Sequence, residues 1–180
     1  HVMSIMLSYS AFALALGIGN VTLGFHLVRS KKQDLTDALT RFTYRLLQAG
    51  VLLLAIGTIL GGMWADYSWG RFWSWDPKEV WALITLLLYL AILHGRYAGW
   101  IGNRSLVAWS VVCFAVVVTM AWYGVNFVLG SGMHAYGSGG GGLVYVAGAV
   151  GLQLSYVLLA LVIGASGNAT SRLARATTGG

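Results

Sequence analysis

Charge is what this sequence has least of. Five acidic and eleven basic residues in 180 are too few ionised groups to solvate the surface of a globular domain. Cysteine is almost absent as well: the one thiol, Cys113, lies in an apolar run. That excludes both a CxxC pair for thiol exchange and a disulfide framework, so any redox chemistry must come from a bound group. Missing too is the period-two alternation of barrel strands, and open strands leave backbone groups unpaired in lipid. No basic leader or small-residue cleavage site marks the first apolar run as a signal peptide. The absence of an initiator methionine points to a chain cut from something longer.

What is abundant is apolar sequence, at 58% of residues and a mean hydropathy of +0.75. A hydrocarbon core of roughly 30 Å needs about 20 apolar residues per helix. Four runs meet that need, Val2 to Leu27, Tyr44 to Trp64, Leu106 to Phe127 and Leu143 to Gly164, and a fifth, shorter one from Lys78 to Leu93 is also read as a span. The expected fold is therefore all-α, a polytopic transmembrane helix bundle. Residues 1–167 form its membrane domain, with an outer loop at about 64–80, and 168–180 form a polar, disordered cytoplasmic tail. Gly57 and Gly61 are spaced as GxxxG, which lets helix backbones approach closely in lipid, a spacing that says little about function. Nine of the eleven basic residues fall on one side of this topology: Arg29, Lys31, Lys32, Arg41, Arg45, Arg96, Arg104, Arg172 and Arg175. Basic loops are retained in the cytoplasm, so the basic balance has a topological cause. It need not signal nucleic acid, and none is expected as a partner.

The informative segment runs from Trp69 to Trp81, where four of the eight tryptophans fall within thirteen residues. A single tryptophan at a membrane interface is ordinarily an anchor, and Trp64, Trp100 and Trp122 are read that way. The cluster is denser than anchoring needs. On a helix, Trp69, Phe72 and Trp73 would share a face and make a flat apolar platform for a planar amphiphile. Asp76, Pro77 and Glu79 spell a helix start, with Asp at N-cap, Pro at N1 and Glu at N3. That role is compatible with holding Trp75 and Trp81 in set directions for binding. Arg71 and Lys78, the two outward cations, have two readings: pairing with ligand carboxylates, or with Asp66, Asp76 or Glu79.

Four histidines separate by depth. His1 and His134 flank the tryptophan loop on its own side, where two imidazoles could ligate a haem iron axially; the plainer reading is two exposed histidines. His94 sits about 24 Å deeper than Lys78 at 1.5 Å per residue. There an ionisable residue is either functional or a satisfied structural group. His26 reads as interfacial beside Arg29.

These residues carry a resemblance. The segment WGRFWSWDPKEVWALI, residues 69–84, resembles the tryptophan-rich WWD signature of haem-handling proteins, and its WDPKE form resembles the CcsA/ResC family of system II cytochrome c biogenesis. HVMSIMLSYSAF at the start and GVNFVLGSGMHAYG at residues 124–137 resemble that family's two histidine-bearing outer segments. The resemblance implies haem b as the bound group, His1 and His134 as outer iron ligands and His94 as a transmembrane ligand. It assigns haem contacts to Trp69, Arg71, Phe72, Trp73, Trp75, Asp76, Lys78 and Trp81, and assigns nothing to His26. It further implies haem passage outward for covalent attachment to apocytochrome c, in a bacterial plasma membrane or thylakoid, with a CcsB/ResB-like membrane protein completing the synthase. No residue is assigned a catalytic acid–base role. Family members usually carry additional helices before this region, and the glycines at 139–142 make a looser outer loop than theirs. The related CcmC and CcmF families of system I share a WWD segment but usually depart from DPKE. A diheme haem b electron-transfer protein would need inward histidines facing each other across neighbouring helices, and His26 and His94 could supply only one such pair; a non-haem transporter would purify colourless.

Overall fold

The structure, a computed structural model, describes residues 1–28, 32–129, 132–134 and 142–178, with side chains through 164 in the last segment. Five helices follow in order: α1 Val2–Leu27, α2 Gln33–Trp69, α3 Pro77–Tyr97, α4 Asn103–Leu129 and α5 Leu143–Thr178. Each contains a stretch long and apolar enough to cross a membrane, that of α5 being Leu143–Gly164. The chain is an integral membrane protein. Large apolar side chains such as Met3, Leu52, Ile59 and Leu152 cover its outside, where lipid takes the place of water.

The first helix has the bounds expected from its uninterrupted apolar run. The second does not, for it begins at Gln33 rather than near Tyr44. Thr36, Thr40 and Thr43 explain the extension. They recur at helical spacing, are buried, and each hydroxyl donates to the carbonyl four residues back. A polar stripe that satisfies itself can thus be packed like an apolar one. The fifth helix continues through the polar segment from Asn168 as backbone helix to Thr178. Arg29, Lys31, Gly139–Gly141 and the side chains of Arg172 and Arg175 lie outside the described residues.

Packing centres on α1 and α2, which lie side by side with α4 against both. Ser4 and Ser8 of α1 donate to the carbonyls of Leu53 and Gly50 at 2.7 and 2.8 Å. The Phe12 ring stacks on Tyr89 of α3 at 4.0 Å between centroids. On the far side of α1, Asn20 and Gln153 of α5 exchange reciprocal amide hydrogen bonds, and Tyr156 donates to the Asn20 carbonyl. Such polar pairs fix helix partners where no hydrophobic force distinguishes one neighbour from another. In α4 the turns widen to π-type over Phe114–Val118 and Met120–Leu129.

Helices that alternate in direction put His1, the link between α2 and α3, and the segment before α5 at one end of the bundle. Lys32, Arg96 and Arg104 gather at the other, where Asp37 of α2 accepts from Asn103 at 2.9 Å and Asn103 accepts from Arg96 at 2.6 Å.

Candidate functional site

Everything at the tryptophan end is organised by how α2 stops and α3 starts. The second helix ends at Trp69 because Gly70 takes the left-handed conformation, φ +70°, the usual helix terminator. Phe72 and Trp73 consequently do not continue a helical face with Trp69. The flat platform expected from their spacing is corrected to a folded link in which rings meet edge-on. Phe72 instead lies across Gly62 of α2, whose missing side chain makes the space: a Cβ there would stand 2.7 Å from the ring.

The start of α3 is the capping box read from the sequence. Asp76 accepts from the Lys78 amide at 3.0 Å, and Glu79 accepts from the Asp76 amide at 3.2 Å. Glu79 also receives the Ser74 amide at 2.9 Å and the Ser74 hydroxyl. The link is thereby held from the helix it precedes. Between Ser74 and Asp76 the backbone of Trp75 is at φ +59°, a conformation costly for a bulky residue, with the indole 72% exposed. Trp73 meets it edge-on at 6.0 Å.

Rings from three separate elements form an unbroken series. His1 lies 5.5 Å from Trp64, Trp64 5.0 Å from Trp69, and Trp69 5.3 Å from His134. The two histidines singled out from the sequence are therefore joined, but through Trp64, which sequence reading assigned to anchoring. The GxxxG pair acquires a purpose here too. Ile5 and the His1 carbonyl press on Gly57, and the His1 ring rests on Gly61 at 3.5 Å from where a Cβ would be. Glycine spacing on α2 is what seats the first turn of α1.

His134 is tied to the link by Asp76. Its Nδ1 stands 3.2 Å from Asp76 Oδ1. This nitrogen is buried and makes no aligned hydrogen bond, so the contact is one of charge and proximity. The other carboxylate oxygen accepts the Met133 amide. Burial alone would raise the Asp76 pKa, but the Lys78 and Met133 amides and the neighbouring His134 outweigh it and hold the carboxyl below its ordinary value. Lys78 Nζ donates to the His134 carbonyl at 3.5 Å, and Arg71 donates to Met133 Sδ at 2.6 Å. Both outward cations thus reach the histidine segment. Gly132 makes the approach possible, since its φ is +103° and a Cβ would collide with Asp76 Oδ2 and Pro77 Cδ. Gly132→Ala should cost about 1–3 kcal/mol. A lowered thermal midpoint in detergent, with His134 drawn away from Trp69, is the expected result; an unchanged midpoint would mean that the segment is not seated this way.

Other expected site residues are placed elsewhere. Trp81 is half-buried in the second turn of α3, and no ring contact joins it to the series among the described residues. His94 lies in the last turn of α3, exposed, with Nδ1 2.7 Å from the Leu90 carbonyl. A carbonyl can only accept, so Nδ1 is the donor, and in the neutral ring Nε2 keeps its lone pair. His26, on α1, has a buried Nε2 without a hydrogen-bond partner, and the buried Arg104 Nε of α4 is likewise unpartnered. Among the described residues no ring contact joins His26 to His94, and no three His, Cys, Asp or Glu side chains converge as a metal cage.

Comparison with known proteins places this arrangement. The family described as cytochrome C assembly protein matches residues 1–134, a range that ends on the second histidine of the series. Proteins named cytochrome c biogenesis protein CcsA are similar in sequence. That of Synechococcus sp. (strain CC9311) is 43% identical over 130 residues, 72% of this chain and 42% of that protein. Those of Porphyra purpurea and Nostoc punctiforme are 44% identical over 112 residues and 46% over 108. These cover 62% and 59% of this chain but 34% and 30% of the relatives. The chain thus spans well under half the length of the curated relatives it matches.

Proposed function

Since this chain belongs to the cytochrome c assembly protein family, we propose that it carries haem b across a membrane and presents it at the tryptophan end for covalent attachment to apocytochrome c. The observation that carries this reading is the ring series from His1 through Trp64 and Trp69 to His134. Two imidazoles are a donor set suited to axial ligation of haem iron. In His134 the nitrogen that faces Asp76 is Nδ1, which leaves Nε2 for a metal. Indole rings between and beside them supply apolar surroundings for a largely apolar macrocycle. Arg71 and Lys78 supply positive charge for haem carboxylates.

Haem is the cargo here, and its vinyl groups supply the reactive carbons. Attachment adds a thiol S–H across a vinyl C=C, which balances without an external oxidant or reductant. What this chain contributes is position: it holds the haem plane, keeps competing water off the face covered by indoles, and leaves an edge for the incoming thiols. His94, with its lone-pair nitrogen exposed on α3, is the ligand for haem in transit from the basic end. The tryptophan end faces the extracytoplasmic side, of a bacterial plasma membrane or thylakoid, because the basic end is the one retained in the cytoplasm. A CcsB/ResB-like membrane protein completes the synthase. The names of the similar proteins favour a system II role over a CcmC- or CcmF-like one. A diheme electron carrier would need two facing histidine pairs, and His26 and His94 supply at most one.

The absorption spectrum of the detergent-purified chain is the test. A Soret band with the sharp visible bands of a six-coordinate, low-spin, bis-imidazole haem is expected, and Trp69→Phe should weaken haem retention while leaving membrane insertion intact. A colourless protein that stays colourless after incubation with haem would end this reading.

A further inference from the structure

The capping role of Asp76 needs one of its oxygens, yet both are engaged. Oδ1 accepts the Lys78 amide and faces His134 Nδ1 at 3.2 Å, while Oδ2 accepts the Met133 amide. The carboxylate is almost fully buried, its side chain 2% exposed, and Gly132 is shaped to let the chain pass against it. A cap alone would be served as well by an exposed serine or asparagine. We propose that Asp76 is a positioning residue for His134: its carboxylate clamps the backbone of the histidine segment through Met133 and orients the imidazole through Nδ1. This rests on the reading of His134 as a haem ligand and deepens it.

Asp76 stands to His134 as an outer carboxylate stands to a metal-binding histidine. A carboxylate 3.2 Å from Nδ1 favours the proton on that nitrogen and leaves the lone pair on Nε2, and the negative charge behind the ring makes Nε2 a stronger donor. Two contacts to adjacent residues, one to backbone and one to ring, leave the imidazole little freedom to turn. Outer partners of this kind typically change metal affinity by 10–100-fold when removed. Glu79 does not share the role, since its oxygens are taken by Ser74 and the Asp76 amide.

Asp76→Ser separates the two functions, because serine caps a helix but is too short to reach Met133 and His134 together. Asp76→Asn keeps size and cap while removing the charge. In the detergent-purified, haem-loaded chain, both variants should stay folded with a moderately lowered thermal midpoint, because neither serine nor asparagine accepts the Lys78 and Met133 amides through two separate oxygens. Both should lose haem to apomyoglobin about tenfold faster, and Asp76→Asn should move the ferric/ferrous midpoint potential positive. The deciding measurement is the same pair of changes made in a His134→Ala background with imidazole supplied in solution. There the Asp76 effects should vanish, because the ring they act through is gone. If instead Asp76→Ser accelerates loss equally in both backgrounds, or leaves the wild-type rate unchanged, Asp76 does not position His134 and the proposal falls while the ligand reading stands. If His134→Ala alone leaves the spectrum unaltered, the ligand reading fails first and this inference fails with it.

Discussion

Haem bound per folded molecule should fall at least about tenfold when His1 and His134 are both replaced by alanine, and the residual haem should lose its six-coordinate, low-spin spectrum. The two side chains sit at opposite ends of one ring series, and removing both deletes every imidazole at that end of the bundle. Single replacements should leave five-coordinate haem that free imidazole restores, because a small ligand can fill the place of a missing ring but not repair a misfolded loop. His1 rests on Gly61 rather than filling a core cavity, and His134 is 26% exposed. Alanine at either position should therefore cost little stability. Unchanged haem content and spectrum in the double variant would remove both residues from the site.

His94→Ala should give a different failure with an effect of similar size. All outer ligands remain, so haem added to the purified variant should bind with the wild-type spectrum. Haem acquired in cells lacking other maturation systems should be depleted, since supply from the basic end is interrupted. The geometry sharpens this test. His94 is exposed and makes its one hydrogen bond within its own helix turn, to Leu90, so its removal opens no buried cavity and leaves no buried donor orphaned. A drop in protein abundance or thermal midpoint is therefore not expected, and wild-type haem loading in cells would leave only an outer binding site. Imidazole in the growth medium should partly restore loading if a ligand is what was removed.

The contrast between what could be read in advance and what could not follows the range of the forces involved. The run from Val2 to Leu27 declares its helix because nothing in it competes with lipid, and Asp76, Pro77 and Glu79 declare theirs because capping is local chemistry between residues two and three apart. The histidines and the tryptophan cluster could be singled out by residue type and by the end of the bundle on which they fall. Tertiary facts were not. Thr36, Thr40 and Thr43 look like loop until their hydroxyls are seen bonding within the helix. The left-handed Gly70 overturned the flat platform, yet nothing near Gly70 distinguishes a helix end from the many glycines that helices in lipid tolerate. Trp64 was indistinguishable from an anchoring tryptophan because its part depends on the approach of His1. That approach in turn depends on Gly57 and Gly61, whose spacing is common. Gly132 becomes meaningful only beside Asp76, 56 positions earlier in the sequence.

The length of α2 has a mechanical meaning. This one helix bears Asp37, bonded to the α3–α4 turn at the basic end, and also Gly61, Gly62, Trp64 and Trp69, which seat His1 and Phe72 and bridge the two imidazoles at the other. The residues from Asp37 to Trp69 span about 48 Å of continuous helix, with no proline to absorb a bend. The helix is thus a lever arm, on which a tilt of about 5° pivoted at Asp37 swings Trp69 sideways by roughly 4 Å. That stroke is comparable to the spacing between neighbouring rings in the series, so the hydrogen bonds from Ser4 and Ser8 that hold α2 against α1 also hold the spacing of the site.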